Sequence, residues 1–211
     1  MTGRELIAVT AAALVAAVAV SVVAAGWDRL PGELRTVREV QSWPFPGQSL
    51  SDIVRSVTGT QVTLAVGAAA VLALFATGAR AEALGLALAL LLLGIWQPAI
   101  KDIVDRPRPT GELVEIRGSI TSESFPAGHV MSPAVLWGYA LWLLATGRLP
   151  AVVAAPLATL SLALLALTGP VNLWLGVHWP LDVLGGYLWG AALALCGVTA
   201  ARGMRSADRR G

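Results

Sequence analysis

Six uncharged, apolar stretches punctuate the chain, over residues 6–25, 61–79, 83–100, 130–147, 149–168 and 183–201. Each is near the ~20 residues that an α-helix needs to cross a bilayer core. Lipid offers the backbone no hydrogen-bond partners, so each stretch predicts a helix. The fifth belongs to a longer uncharged run, 149–177, too long for one helix, and Gly169-Pro170 predicts the break. The first follows Arg4 and ends in small residues, as a signal peptide does. Its apolar part exceeds the roughly 7–15 residues of such a segment, so it reads as an uncleaved span. The fold class that follows is all-α: an integral membrane bundle of six transmembrane helices, one membrane domain over residues 1–211.

The connections are uneven. Gly78–Glu82 and Gly147-Arg148 are tight, whereas 26–60 and 101–129 are long. In the first long loop, Trp43-Pro44-Phe45-Pro46-Gly47 reads as an interfacial element, with aromatics at headgroup depth. Residues 50–57 predict a short helix, with Ser49 as its cap and Asp52 in its first turn. An even number of spans puts both termini on one side. The tail arginines Arg202, Arg205, Arg209 and Arg210 favour a cytoplasmic C-terminus. Both long loops and the His178 end of the last span then face outward from the cell membrane.

Composition narrows the class. Charged residues make up 13% of the chain, against roughly 25% in an ordinary soluble domain. This excludes a soluble globular enzyme, and the high hydrophobic content excludes disorder. A net charge of +2 is too small for a nucleic-acid surface. Cys196 is the only cysteine, so no disulfide forms within one chain.

Charge at membrane depth is costly, and the ionisable residues near the spans fall into three groups. Lys101 and Arg108 flank the end of the third span, which Arg106-Pro107-Arg108-Pro109 predicts will not continue as helix. Together they suit a phosphate, Arg as a planar fork and Lys as a point charge; alternatively they snorkel to anchor a helix end. Pro126-Ala127-Gly128-His129 opens the fourth span, where free N–H groups attract anions and His129 can protonate a leaving oxygen. The alternative is an interfacial histidine. His178 and Asp182 open the sixth span at i and i+4, a spacing that lets the carboxylate fix the imidazole tautomer if the helical turn reaches His178. The alternative is a helix-start carboxylate beside a surface histidine. Both histidines of the chain sit at span starts on the same predicted side as Lys101 and Arg108. That set suggests phosphoryl transfer through a phosphohistidine. His129, His178 and Asp182 as metal ligands are disfavoured, because the neighbouring cations would repel a metal ion.

In order, Lys101-x6-Arg108-Pro109, Pro126-Ala127-Gly128-His129 and His178-x3-Asp182 resemble the three motifs of the type 2 phosphatidic acid phosphatases. These are also called lipid phosphate phosphatases and are related to vanadium haloperoxidases. The resemblance implies a six-helix membrane bundle with its site at the outer surface. It implies His178 as the nucleophile, Asp182 as its orienting partner and His129 as the acid. Lys101, Arg108 and the Gly128 N–H would hold the phosphate of a lipid phosphate or diphosphate, with no metal or other cofactor.

Two positions depart from the family pattern. Ala127 stands where the family has Ser, and Asn172 where it has Arg, with Val171 in place of the Ser beside it. Losing a charged phosphate donor removes roughly 1.5–3 kcal/mol of binding. Asn172 retains one neutral donor, and Arg106 or Arg117 are candidates to replace the charge. Three readings stand at this point: an active phosphatase with a relaxed pocket, an impaired relative that binds anionic lipid headgroups, and a non-enzymatic membrane protein. Gly186-x3-Gly190 predicts close helix packing under any of them.

Overall fold

The computed structural model describes residues 1–119, 122–147 and 149–208. Arg148 of the tight Gly147-Arg148 connection and the tail arginines Arg209 and Arg210 lie outside the described residues. Regular structure among the described residues is entirely helical: α1 (Gly3–Ala25), α2 (Glu33–Gln41), α3 (Gly47–Thr58), α4 (Thr60–Ala76), α5 (Arg80–Val104), α6 (Gly128–Ala145), α7 (Ala151–Trp174) and α8 (Pro180–Asp208).

Each apolar stretch of the sequence falls on a helix, but fewer than six pass as spans. Helices α1, α5, α7 and α8 are long and apolar enough to cross a membrane. Helices α3 and α4 meet at 51° and count together as one broken span, which makes up to five. Helix α6 has 18 residues and opens on Gly128-His129, with Trp137, Tyr139 and Trp142 along it; that polar and aromatic content dilutes its hydropathy.

Helix α8 is the central element and packs on α1, α5 and α6. Glycine makes the contacts close. A Cβ added at Gly190 would lie 2.4 Å from the Ala134 Cβ, and one at Gly85 would lie 2.5 Å from the Gly197 carbonyl oxygen. Small residues let membrane helices approach and gain dispersion energy where lipid supplies no hydrophobic drive. Leu86, Leu93, Met131, Val135, Tyr139 and Leu193 fill the core between these helices. Val15, Val22, Leu72, Leu91 and Val152 point outward, as lipid-facing side chains do.

Three local expectations are corrected. Helix α7 runs through Gly169-Pro170 without the predicted break. The Gly169 N–H donates to the Tyr187 hydroxyl at 3.1 Å, and that hydroxyl donates to the Leu165 carbonyl. A side chain from α8 is thus inserted into the α7 ladder, and the Asn172 Nδ2 adds a bond to the Thr168 carbonyl at 2.7 Å. Helix α3 starts at Gly47, and no side chain caps it, so Ser49 lies inside it. Helix α2 was not foreseen at all. Four of its nine residues are charged, and it is held instead by Val37 and Val40, which pack in clusters with Trp179 and Trp174.

The two ends of the bundle differ. At one end Arg202 Nη2 donates to the Met1 carbonyl at 2.9 Å, which brings the two termini together. The other end gathers α2, α3, residues 105–119 and 122–127, and the 175–179 turn. There Arg38 Nη2 reaches the Leu113 carbonyl at 2.8 Å and Gln41 Nε2 the Trp174 carbonyl at 3.1 Å.

Gly190→Val should lower the thermal midpoint in detergent, because overpacking a tight helix contact costs about 1–3 kcal/mol or more. Gly203→Ala, at a helical position with nothing within 4 Å of an added Cβ, should hold it or raise it slightly, since alanine is the better helix former. Intrinsic tryptophan fluorescence on heating checks both.

Candidate active site

Pro180 is the first residue of α8, where its missing N–H costs no hydrogen bond. Asp182, two positions later, reaches back so that its Oδ2 accepts the Trp179 N–H at 2.7 Å. The same oxygen accepts from the Ser124 hydroxyl. The other oxygen, Oδ1, accepts from Arg106 Nη1 at 2.7 Å. Arg106 then bridges to Glu33: Nη2 donates to Oε2 at 2.6 Å, while Nε donates to the Trp27 carbonyl at 3.1 Å. Glu33 also takes the N–H groups of Leu30 at 2.6 Å and Leu181 at 2.9 Å. Arg106 is 1% exposed, Glu33 5% and Asp182 0%. Burial works against the Arg106 charge, yet Asp182 and Glu33 hold its pKa above the ordinary value.

His178 sits in the turn between α7 and α8. The helix does not extend back to it, and the i, i+4 distance to Asp182 is closed by the capping turn. Its Nδ1 lies 3.6 Å from Asp182 Oδ2, just beyond hydrogen-bond length. Its Nε2 lies 3.2 Å from Arg108 Nη1. A guanidinium only donates, so Nε2 is the lone-pair side and Nδ1 carries the proton on the Asp182 side. Burial lowers the His178 pKa to about 4; Asp182 opposes this, and Arg108 and Lys101 reinforce it. The imidazole is neutral at physiological pH.

A cavity of about 400 Å³ is lined by Arg55, Lys101, Arg108, Gly128, His129 and His178 among others. Its three cations are all held by uncharged acceptors. Lys101 Nζ donates to the Glu123 carbonyl at 2.5 Å. Arg108 donates to the carbonyls of Ser122, Val177 and Glu123, the last at 3.1 Å. Arg55 Nη1 donates to Asn172 Oδ1 at 3.0 Å. Among the described residues none of the three makes an ion pair within 4.0 Å. Burial, and to a lesser extent Arg55, depresses the Arg108 pKa against the pull of Asp182. The pocket therefore carries concentrated positive charge with no carboxylate in ion-pair contact with it, an arrangement that favours an anion. Gly128 permits the close wall: a Cβ there would lie 2.9 Å from Gln97 Nε2. Gln97 is fixed in turn by Thr60 Oγ1 at 2.8 Å. A second, apolar groove of about 550 Å³ between α4 and α5 shares Leu64 and Gly94 with the cavity wall.

Of the residues expected from sequence, Lys101, Arg108, Gly128, His129 and His178 share this cavity. Asp182 stands behind His178. Ala127 is buried in an apolar cluster with Val130 and Val183, its N–H donating to the Asp182 carbonyl at 3.0 Å. Asn172 is buried and spends its amide on Thr168 and Arg55. Neither candidate for the missing charge reaches the cavity lining. Arg106 is consumed by Glu33 and Asp182, and Arg117 stacks over Trp174 at 4.1 Å and pairs with Glu115 at 2.7 Å. Arg55 and Glu33 were not singled out in the sequence. The one available signal for Arg55 was its position, a cation six residues before the 61–79 apolar stretch. Among the described residues no group of three His, Cys, Asp or Glu side chains is placed to hold a metal ion.

A family model for the PAP2 superfamily matches residues 82–204, a range that holds Lys101, Arg108, Gly128, His129 and His178 but not Arg55. No curated protein matches the chain. The fold is similar to the crystal structure of the first transmembrane PAP2-type phosphatidylglycerolphosphate phosphatase from Bacillus subtilis, with a TM-score of 0.61 and 20% identity, covering 92% of this chain and 96% of that one.

Two outcomes follow from the buried charges. Arg106→Ala leaves Glu33 and Asp182 buried without their counter-ion, and should cost about 3–5 kcal/mol of stability in a denaturant titration. Nitrogen-15 spectra of the imidazoles should show His178 still neutral at pH 5.5, where a histidine with the ordinary pKa near 6.5 is mostly protonated.

Proposed function

This chain belongs to the PAP2 superfamily, and from that membership we propose that it is a membrane-bound phosphatase that hydrolyses lipid phosphate monoesters or diphosphates. The observation that carries the reading is the cavity of cations without carboxylate partners, set against a neutral, buried histidine. An incoming phosphate takes the donors of Arg108 and Lys101, and Arg108 is thereby drawn off the Nε2 lone pair. Nε2 attacks phosphorus, a P–N bond forms, and the ester P–O bond breaks. His129, protonated as the anionic phosphate binds beside it, supplies that proton to the leaving alkoxide. Water then gives a proton to His129 and attacks the phosphohistidine, which releases inorganic phosphate and restores His178. Asp182 stabilises the imidazolium character that develops on His178. Every donor in this scheme is a side chain or an N–H, so the reaction proceeds without a metal.

The lipid tail has a place beside its headgroup. The apolar groove between α4 and α5 borders the cavity at Leu64 and Gly94, so an acyl or prenyl chain lies against helix faces while the phosphate meets the cations. In the bilayer, α3–α4 acts as one broken span and α6 as a sixth, with the cavity end outward and the termini cytoplasmic. The basic C-terminus supports that orientation.

Purified protein in detergent with a chelator should release inorganic phosphate from phosphatidate, phosphatidylglycerophosphate or a polyprenyl diphosphate. His178→Ala should lower that rate by about 1000-fold or more. Full activity in the variant sinks the proposed nucleophile. Binding of these lipids without turnover, in the unaltered protein, selects the impaired, headgroup-binding reading instead.

A further inference from the structure

Helix α3 ends one turn after Arg55, and the chain then bends by 51° into α4 at Gly59. The bend lies over the site: a Cβ at Gly59 would be 3.8 Å from His129 Nε2. Arg55 is carried by this elbow to the cavity wall opposite α7. Its one hydrogen bond among those described is to the amide oxygen of Asn172, at 3.0 Å. Asp52, three residues earlier on α3, attracts it from outside ion-pair distance.

Asn172 is oriented by both ends of its amide. It is fully buried, Nδ2 donates to the Thr168 carbonyl at 2.7 Å, and Oδ1 faces the Arg55 guanidinium. Its donors are turned away from the cavity, so it offers a phosphate nothing directly. What it offers Arg55 is a fixed acceptor that uses one N–H and leaves the rest of the fork free. A carboxylate at this place would have neutralised the cation; an amide holds it and leaves its charge available.

We propose that Arg55 is a phosphate-binding residue of this site, delivered from α3 and held in place by Asn172 as its positioning residue. The position on α7 that carries arginine in the family pattern is thus converted from a phosphate donor into a bracket for an arginine from elsewhere in the chain. The proposal deepens the phosphatase reading and rests on it for the identity of the anion, the phosphoryl group. Arg55, Lys101 and Arg108 then surround that group from α3, the end of α5 and the segment after it.

The test uses the full chain in detergent, with inorganic phosphate as the binding probe by calorimetry and a lipid phosphate as the kinetic probe. Arg55→Gln should weaken phosphate binding and lower kcat/KM by about 10- to 100-fold, the worth of a charged hydrogen bond. Arg55→Lys keeps the charge and most of the stem, so it should retain part of both and serves if the glutamine variant does not fold. Asn172→Ala should lose part of the same effect, and adding it to Arg55→Gln should cost nothing more, since a bracket without its arginine has nothing to hold. Unchanged phosphate affinity in a folded Arg55 variant overturns the assignment, and additive losses overturn the role of Asn172. If the unaltered protein binds phosphate but hydrolyses no lipid phosphate, the titration still decides Arg55, and only the hydrolytic reading falls.

Discussion

Arg106 lies between two carboxylates with almost no contact with solvent, and separate segments of chain reach their positions only by meeting it. Glu33 comes from α2, Asp182 from the start of α8, and Arg106 from the segment after α5. Desolvating three charges is expensive, and such a cluster persists only when its side-chain nitrogens and oxygens find partners. Here they do: backbone N–H groups of Leu30, Leu181 and Trp179 and the Ser124 hydroxyl complete the two carboxylates. The result is a rigid platform under His178. Asp182 is bound on both oxygens before it faces the imidazole, so its direction is set by the fold and not by the histidine.

Close helix packing brings the remaining parts to that platform. Gly186 and Gly190 let α6 approach α8, and a Cβ at Gly186 would lie 2.8 Å from the Ala127 carbonyl oxygen. That contact holds the start of α6, with Gly128 and His129, beside the start of α8. The end of α5 brings Lys101 to the same place. A site made of helix ends suits a membrane protein, because only there do unpaired N–H groups and cations stay near the water interface.

Much of this was legible in the chain. The apolar stretches mark helices because lipid leaves the backbone no alternative, and the scarcity of charge made Lys101, Arg108, His129 and His178 stand out. What could not be read was carried by contacts between distant segments. Pro170 predicts a break in α7, but Tyr187 of α8 re-satisfies the ladder there. Helix α2 is too short and too charged to predict itself and exists because Val37 and Val40 find tryptophans. Arg55 and Asn172 are 117 residues apart in sequence, and nothing short of the bend at Gly59 says that they meet. Arg106 looked like a free cation in a basic segment, whereas its charge is spent on holding the fold.

The region shared with the family spans 82–204, but Glu33, which anchors the buried cluster, and Arg55, on the cavity wall, both precede it. Glu33 and Arg55 therefore tie this early segment to the buried cluster and to the cavity wall. Trimming the chain to its shared portion would strip Arg106 of one carboxylate and the cavity of one cation. Relatives that diverge in this early segment are free to rebuild the pocket's charge there while the shared helices stay the same.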